Sequence, residues 1–171
     1  MKRSIAILMI LLLAGAGMTL RAQQLKFGHI NSQELLRAMP ENDSAQAQMQ
    51  RFAQDLQNQL DELQVEYNKK LQDYQSQMDQ LTDLIRKTKE EELMRLQKSI
   101  QDFQVAAQQE MQKKQPELMQ PIIDKANKAI KEVARENGFI YIFDIASGSI
   151  LYYSEKSVDI LPLVKKKLGI E

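Results

Sequence analysis

From Leu56 onward a large apolar residue recurs at every third or fourth position. Leu56, Leu60, Leu63, Tyr67, Leu71, Tyr74, Met78, Leu81 and Ile85 are spaced 4, 3, 4, 4, 3, 4, 3 and 4. A stripe of this period lies on one face of a helix and reads as a heptad seam, with one stutter where two fours adjoin at Tyr67–Leu71. The rhythm then fails: between Ile85 and Leu93 stand only Arg86, Lys87, Thr88, Lys89, Glu90, Glu91 and Glu92. It resumes at Leu93, Leu96, Ile100, Phe103 and Ala107, spaced 3, 4, 3 and 4, and no Gly or Pro interrupts residues 45–115. Each stripe is narrow and the other faces are polar, so neither helix is stable without a partner along its seam.

The ends of the chain follow another pattern. In QLKFGHI, residues 24–30, Leu25, Phe27 and His29 alternate with Lys26 and Gly28, which predicts a strand. Asn31 precedes Glu34 by three, a capping-box spacing that starts a short helix from Ser32 to about Met39. Pro40 ends it, and Asp43 or Ser44 is the expected cap of the next helix. Pro116 and Pro121 are expected to interrupt or bend the second long helix. Ile122, Ala126, Ile130 and Val133 form a new apolar face, which Asn137-Gly138 closes. FIYIFDI, residues 139–145, predicts a strand. The turn Ala146-Ser147-Gly148 and the strand SILYY, 149–153, complete an expected hairpin. A last helix runs from Pro162 to Leu168, with Gly169 past its end.

Short strands need partners. The strand at 25–30 and the expected hairpin supply them to each other only if the chain leaves a small body and returns. The midpoint between Ile30 and Phe139 falls near residue 84, so a reversal is expected at 80–84, with 86–90 as the alternative. Thr82-Asp83 starts the second helix in the first case, and Thr88 with Glu91 in the other. Each arm is then about 40 residues, roughly 60 Å. The predicted fold is mostly α with a small β body: body residues 23–42 and 121–171, and a helical hairpin arm over 43–120 with its tip near 80–90.

Residues 1–22 fall outside this scheme. Lys2 and Arg3 precede an apolar run from Ile5 to Leu13, and small residues follow. This is the layout of a secretory signal peptide, with cleavage expected after Ala22. The run is shorter than the roughly 20 apolar residues of a membrane span. Without Lys2, Arg3 and Arg21, the 23 basic residues become 20 against 23 acidic ones, a net charge of −3. That balance argues against nucleic-acid binding. The chain has no cysteine, so disulfides, thiolate chemistry and a cysteine-linked lipid are excluded.

Candidate chemistry is sparse. His29 is the single histidine; it sits in a strand pattern and reads as packed or edge-exposed, leaving an enzymatic reading one candidate residue. The ligand set of a zinc site and a glycine-rich phosphate loop are both missing; no catalytic, metal or cofactor site is expected. Tyr67, Tyr74 and Met78 offer an aromatic and thioether surface for a client, although their register also fits seam packing. Arg86, Lys87, Lys89, Arg95 and Lys98 form a basic cluster interleaved with Glu90, Glu91 and Glu92. It is a candidate contact for anionic lipid or acidic client segments, and reads equally as solvated surface.

Taken together, KFGHINSQELL at 26–36, KANKAIKEVARENG, FIYIFDIASGSILYYS and DILPLVKKKL resemble the Skp/OmpH family of periplasmic chaperones, and the resemblance spans the chain after the signal peptide. It implies a homotrimer whose β bodies associate and whose arms enclose a cavity. Unfolded outer-membrane proteins would be held there without ATP or any cofactor. Carried over, Phe27, Ile30, Ile140, Ile142 and Leu151 would form the body and the trimer contacts. Well-known members are strongly basic, whereas this chain carries −3; electrostatic capture of clients or lipid is then weaker or confined to the arm tips. A rival reading is an envelope scaffold whose arms bind a folded partner.

Overall fold

The computed structural model describes residues 25–170, so the expected signal peptide and its cleavage site lie outside the described residues. The chain opens with strand β1 (Phe27–Ile30) and helix α1 (Ser32–Ala38). Asn31 caps α1 as its spacing predicts: its Oδ1 accepts from the Glu34 N–H at 3.0 Å. Met39 turns extended, with ψ of 124°, because the following Pro40 excludes the helical region.

Helix α2 (Pro40–Gln77) begins at that proline, three residues before the expected Asp43 cap. Proline fits the first helical turn, where its missing N–H has no intrahelical partner. The 38 residues of α2 span roughly 57 Å. A 3₁₀ turn (Met78–Gln80) and the extended Leu81 reverse the chain. Thr82 then caps helix α3 (Asp83–Glu136), its Oγ1 accepting from the Ile85 N–H at 3.4 Å. The two helices run antiparallel. Lys125 pairs with Glu41 at the root, Lys114 lies over the Phe52 ring, and Lys70 meets Glu92 near the tip. As one residue number rises, its partner's falls.

Pro116 and Pro121 neither end α3 nor divide it: the helix runs unbroken for 54 residues. Each proline removes one helical hydrogen bond and costs about 3 kcal/mol in a helix interior. The flanking Leu118, Met119 and Ile122 pack into the core at this level, and that contact offsets the loss. Tertiary packing rather than local propensity decides helix continuity here.

The return to the body also differs from expectation. β2 (Tyr141–Asp144) forms, but residues 149–153 are not a strand and there is no hairpin. The third strand is the short β3 (Val158–Asp159). β1 is central, in the order β2-β1-β3, and pairs parallel with both neighbours. Because β2 and β3 run the same way, residues 145–157 must travel back along the sheet before β3 begins. SILYY lies in that crossing.

Helix α4 (Leu161–Leu168) closes the chain, and Gly169 ends it in the left-handed region with φ of 71°. The core gathers Ile30, Leu35, Met39, Ile122, Val133, Ile160 and Val164 where the sheet, α1, α4 and the roots of α2 and α3 meet. Ala45, Ala126 and Ala129 let these elements approach closely. Beyond that junction the arm buries its seam only partly. Among the described residues, no helix is long and apolar enough to cross a membrane.

Candidate client-binding and assembly surfaces

Two regions concentrate the residues singled out by sequence. The first is the outer part of the arm. Tyr67 and Tyr74 are half-buried on the seam. The Tyr74 hydroxyl donates to Glu90 Oε1 at 2.5 Å, and Lys70 Nζ donates to Glu92 Oε1 at 2.5 Å. The charged block therefore does not form the tip. It occupies the first turns of α3 and faces α2, where Arg86, Lys89 and Glu92 are half-buried in place of apolar seam residues. The hydrogen bond from Lys70, helped by its charge, holds the Glu92 carboxyl below its ordinary range, and the same bond raises the Lys70 ammonium. The hydrogen bond to Glu90 pushes the Tyr74 phenol up.

The residues of the basic cluster meet different partners. Arg86 reaches Asp83 at 4.0 Å, and its Nε is buried without an acceptor. Lys87 is exposed. Arg95 Nε donates to the Glu91 carbonyl, and Lys98 pairs with Asp102 at 2.7 Å. Arg95 and Lys98 line a shallow hollow of about 380 Å³ with Glu91 and Met94. At the turn itself Met78 is exposed, and Leu84 and Ile85 are exposed beside it. Leu84 lies off the heptad register, so periodicity gave no reason to select it.

The second region is the outer face of the sheet. Phe27, Tyr141 and Phe143 stack there, with ring centroids 6.0–6.5 Å apart. His29 shares the face and is covered by Tyr153, centroids 4.2 Å apart. The returning segment and this face border an open pocket of about 940 Å³, lined by Leu25, Phe27, His29, Phe143, Ile150 and Tyr153 among others. His29 Nδ1 lies 2.9 Å from Ser157 Oγ. No carboxylate orients that pair: Asp159 Oδ1 instead accepts from the Leu161 N–H. His29 is thus a packed residue that ties the crossing segment to β1. No group of acidic, His or Cys side chains suited to a metal occurs among the described residues.

The expected assembly residues divide between two environments. Ile30 is 2% exposed and belongs to the subunit's own core, the body part of its expected role. Ile142 is half-buried and packs against the same core. Phe27, Ile140 and Leu151 are exposed, Leu151 almost fully. Tyr141, Phe143 and Tyr152 were not selected from sequence, yet all are exposed on this side of the body. Alternation in FIYIFDI separates two faces but does not say which is outside.

These features define a mostly α protein in which a long two-helix arm projects from a small β body. Residues 26–168 match the family model described as Outer membrane protein (OmpH-like), and the chain belongs to that family, which comprises periplasmic chaperones of outer membrane proteins. Comparison with curated proteins gives no match.

Proposed function

We propose that the protein is an ATP-independent periplasmic holdase that binds unfolded outer-membrane proteins between helical arms and keeps them from aggregating in transit. The observation that carries this reading is the arm-and-body fold in a member of the OmpH-like family. Three copies associate through their bodies, with the aromatic sheet face and the exposed Phe27, Ile140 and Leu151 as contact surface. The arms then bound a common cavity. Client contact is assigned to the arm: Met78, Lys87, Arg95 and Lys98 from its exposed surface, and Tyr67, Tyr74, Arg86 and Lys89 from the seam margin. Many weak contacts act together, so retention comes from multivalency rather than from one pocket. Lysine and arginine near the tip also supply the contact with anionic lipid.

The test is turbidity after an outer-membrane barrel protein is diluted from urea. Stoichiometric trimer should suppress the signal; unchanged aggregation rejects the holdase. A pull-down from envelope extract separates the scaffold reading: many unfolded barrel precursors support the holdase, whereas one stoichiometric folded partner supports the scaffold.

A further inference from the structure

Most of the arm is held by apolar seam residues, but its outer part is held differently. Between Ile85 and Leu93 the α3 side of the seam offers only Arg86, Lys89 and Glu92. The cross-arm bonds there are Lys70 to Glu92 and Tyr74 to Glu90. Both bridges are partly exposed, with the Lys70 and Glu92 side chains 35% and 43% accessible. Exposed ion pairs are weak: the Lys70–Glu92 pair holds back an opening equilibrium by no more than roughly fivefold. Burying the Arg86 Nε without an acceptor opposes closure. Beyond the bridges, Met78, Leu84 and Ile85 are already exposed. Leu71, on the seam between the two bridges, and Leu81, at the turn, are half-buried.

We infer that the outer arm is a polar latch: when the Lys70–Glu92 and Tyr74–Glu90 bridges open, Leu71, Tyr74 and Leu81 join Met78, Leu84 and Ile85 in one apolar strip that takes up unfolded client. The inference rests on the holdase reading for the identity of that client. The segment that fits is a barrel strand, whose apolar side chains alternate with polar ones and present one apolar edge. Opening exposes the strip without unfolding the root, because the buried core lies at the other end of the arm. The weakness of the bridges then serves the function: an apolar seam at the same place would stay closed and deny the client these residues.

Hydrogen exchange on the full-length mature protein, with two opposed variants, tests the latch. Glu90→Gln with Glu92→Gln keeps shape and removes both charges. Amides in 70–96 should exchange about three to ten times faster, while those in 122–133 keep their rates. Lys70→Leu with Glu92→Leu replaces the ion pair by an apolar layer, so exchange in 70–96 should slow and lose its dependence on salt. A fluorescent 16-residue peptide of alternating leucine and serine serves as the client probe. Its affinity should rise severalfold in the glutamine variant and fall in the leucine variant. Exchange at 70–96 that ignores both variants overturns the latch. Exchange that responds while peptide affinity stays fixed overturns its role in client uptake. Neither result touches the holdase reading, which the wild-type turbidity assay decides alone.

Discussion

At Asp144, at the end of β2, one side chain joins distant parts of the body. Its carboxylate accepts from the Ser32 N–H at 3.1 Å, Ser32 Oγ at 2.6 Å and the Ala146 N–H at 3.0 Å. Burial pushes this carboxyl up, but the three hydrogen bonds together outweigh it and hold it below the ordinary 3.8. A carboxyl depressed by folding contributes stability that is complete above its unfolded value and is lost as pH falls through the folded one. Wild-type Tm should therefore fall below about pH 4, and Asp144→Asn should flatten that acid limb while lowering Tm at pH 7; parallel acid limbs would contradict this account. Gly28 makes a second residue-scale case. A Cβ there would stand 2.8 Å from Ile142 Cδ1 and 3.1 Å from both Ile160 Cγ2 and Phe139 Cε1. Overpacking of this kind costs about 1–3 kcal/mol, so urea denaturation of Gly28→Ala should show an earlier midpoint with an unchanged slope.

Caps and turns were legible at the scale of single elements, because each depends on residues a few positions apart. Asn31 with Glu34 and Gly169 after α4 act as their spacing predicts, and Thr82 rather than Thr88 starts α3, whereas Asp43 and Ser44 do not cap α2 because Pro40 already begins it. Thr82→Ala should cost about 1 kcal/mol, read as faster amide exchange confined to the first turns of α3. The prolines do not interrupt α3, because its continuity depends on what α2 and the body place beside it. Restoring an N–H should therefore stabilise the helix: Pro116→Ala is expected to gain about 1–3 kcal/mol, measured as a higher Tm. An unchanged or lower Tm would mean that the proline relieves strain at the arm's root. The expected hairpin failed for a related reason. SILYY has strand composition, but β1 carries β2 on one edge and β3 on the other, both parallel. A parallel neighbour cannot follow β2 through a three-residue turn.

For the whole molecule, the proposed assembly makes a simple demand on solution mass. Light scattering should report a trimer. Leu151→Asp together with Tyr141→Asp should shift it toward monomer while the helical circular dichroism persists, since both side chains are exposed in the single subunit. A monomeric wild type would remove the cavity. The sequence alone determined the arm and body, because seam periodicity and the distance between the β segments leave few ways to bury a narrow apolar stripe. It offered a reversal at 80–84 or at 86–90, since two arms rooted in one body must have nearly equal length, and the chain turns at Met78–Leu81. Only the tertiary structure decided which face of FIYIFDI points outward, that Ile30 is core, and that β3 rather than SILYY completes the sheet. It alone showed that Arg86, Lys89 and Glu92 of the charged block are half-buried and that Glu90 and Glu92 bond across to α2. Local pattern fixes period and ends, whereas the pairing of Lys70 with Glu92 depends on the register between two helices, which exists only once the chain has folded back.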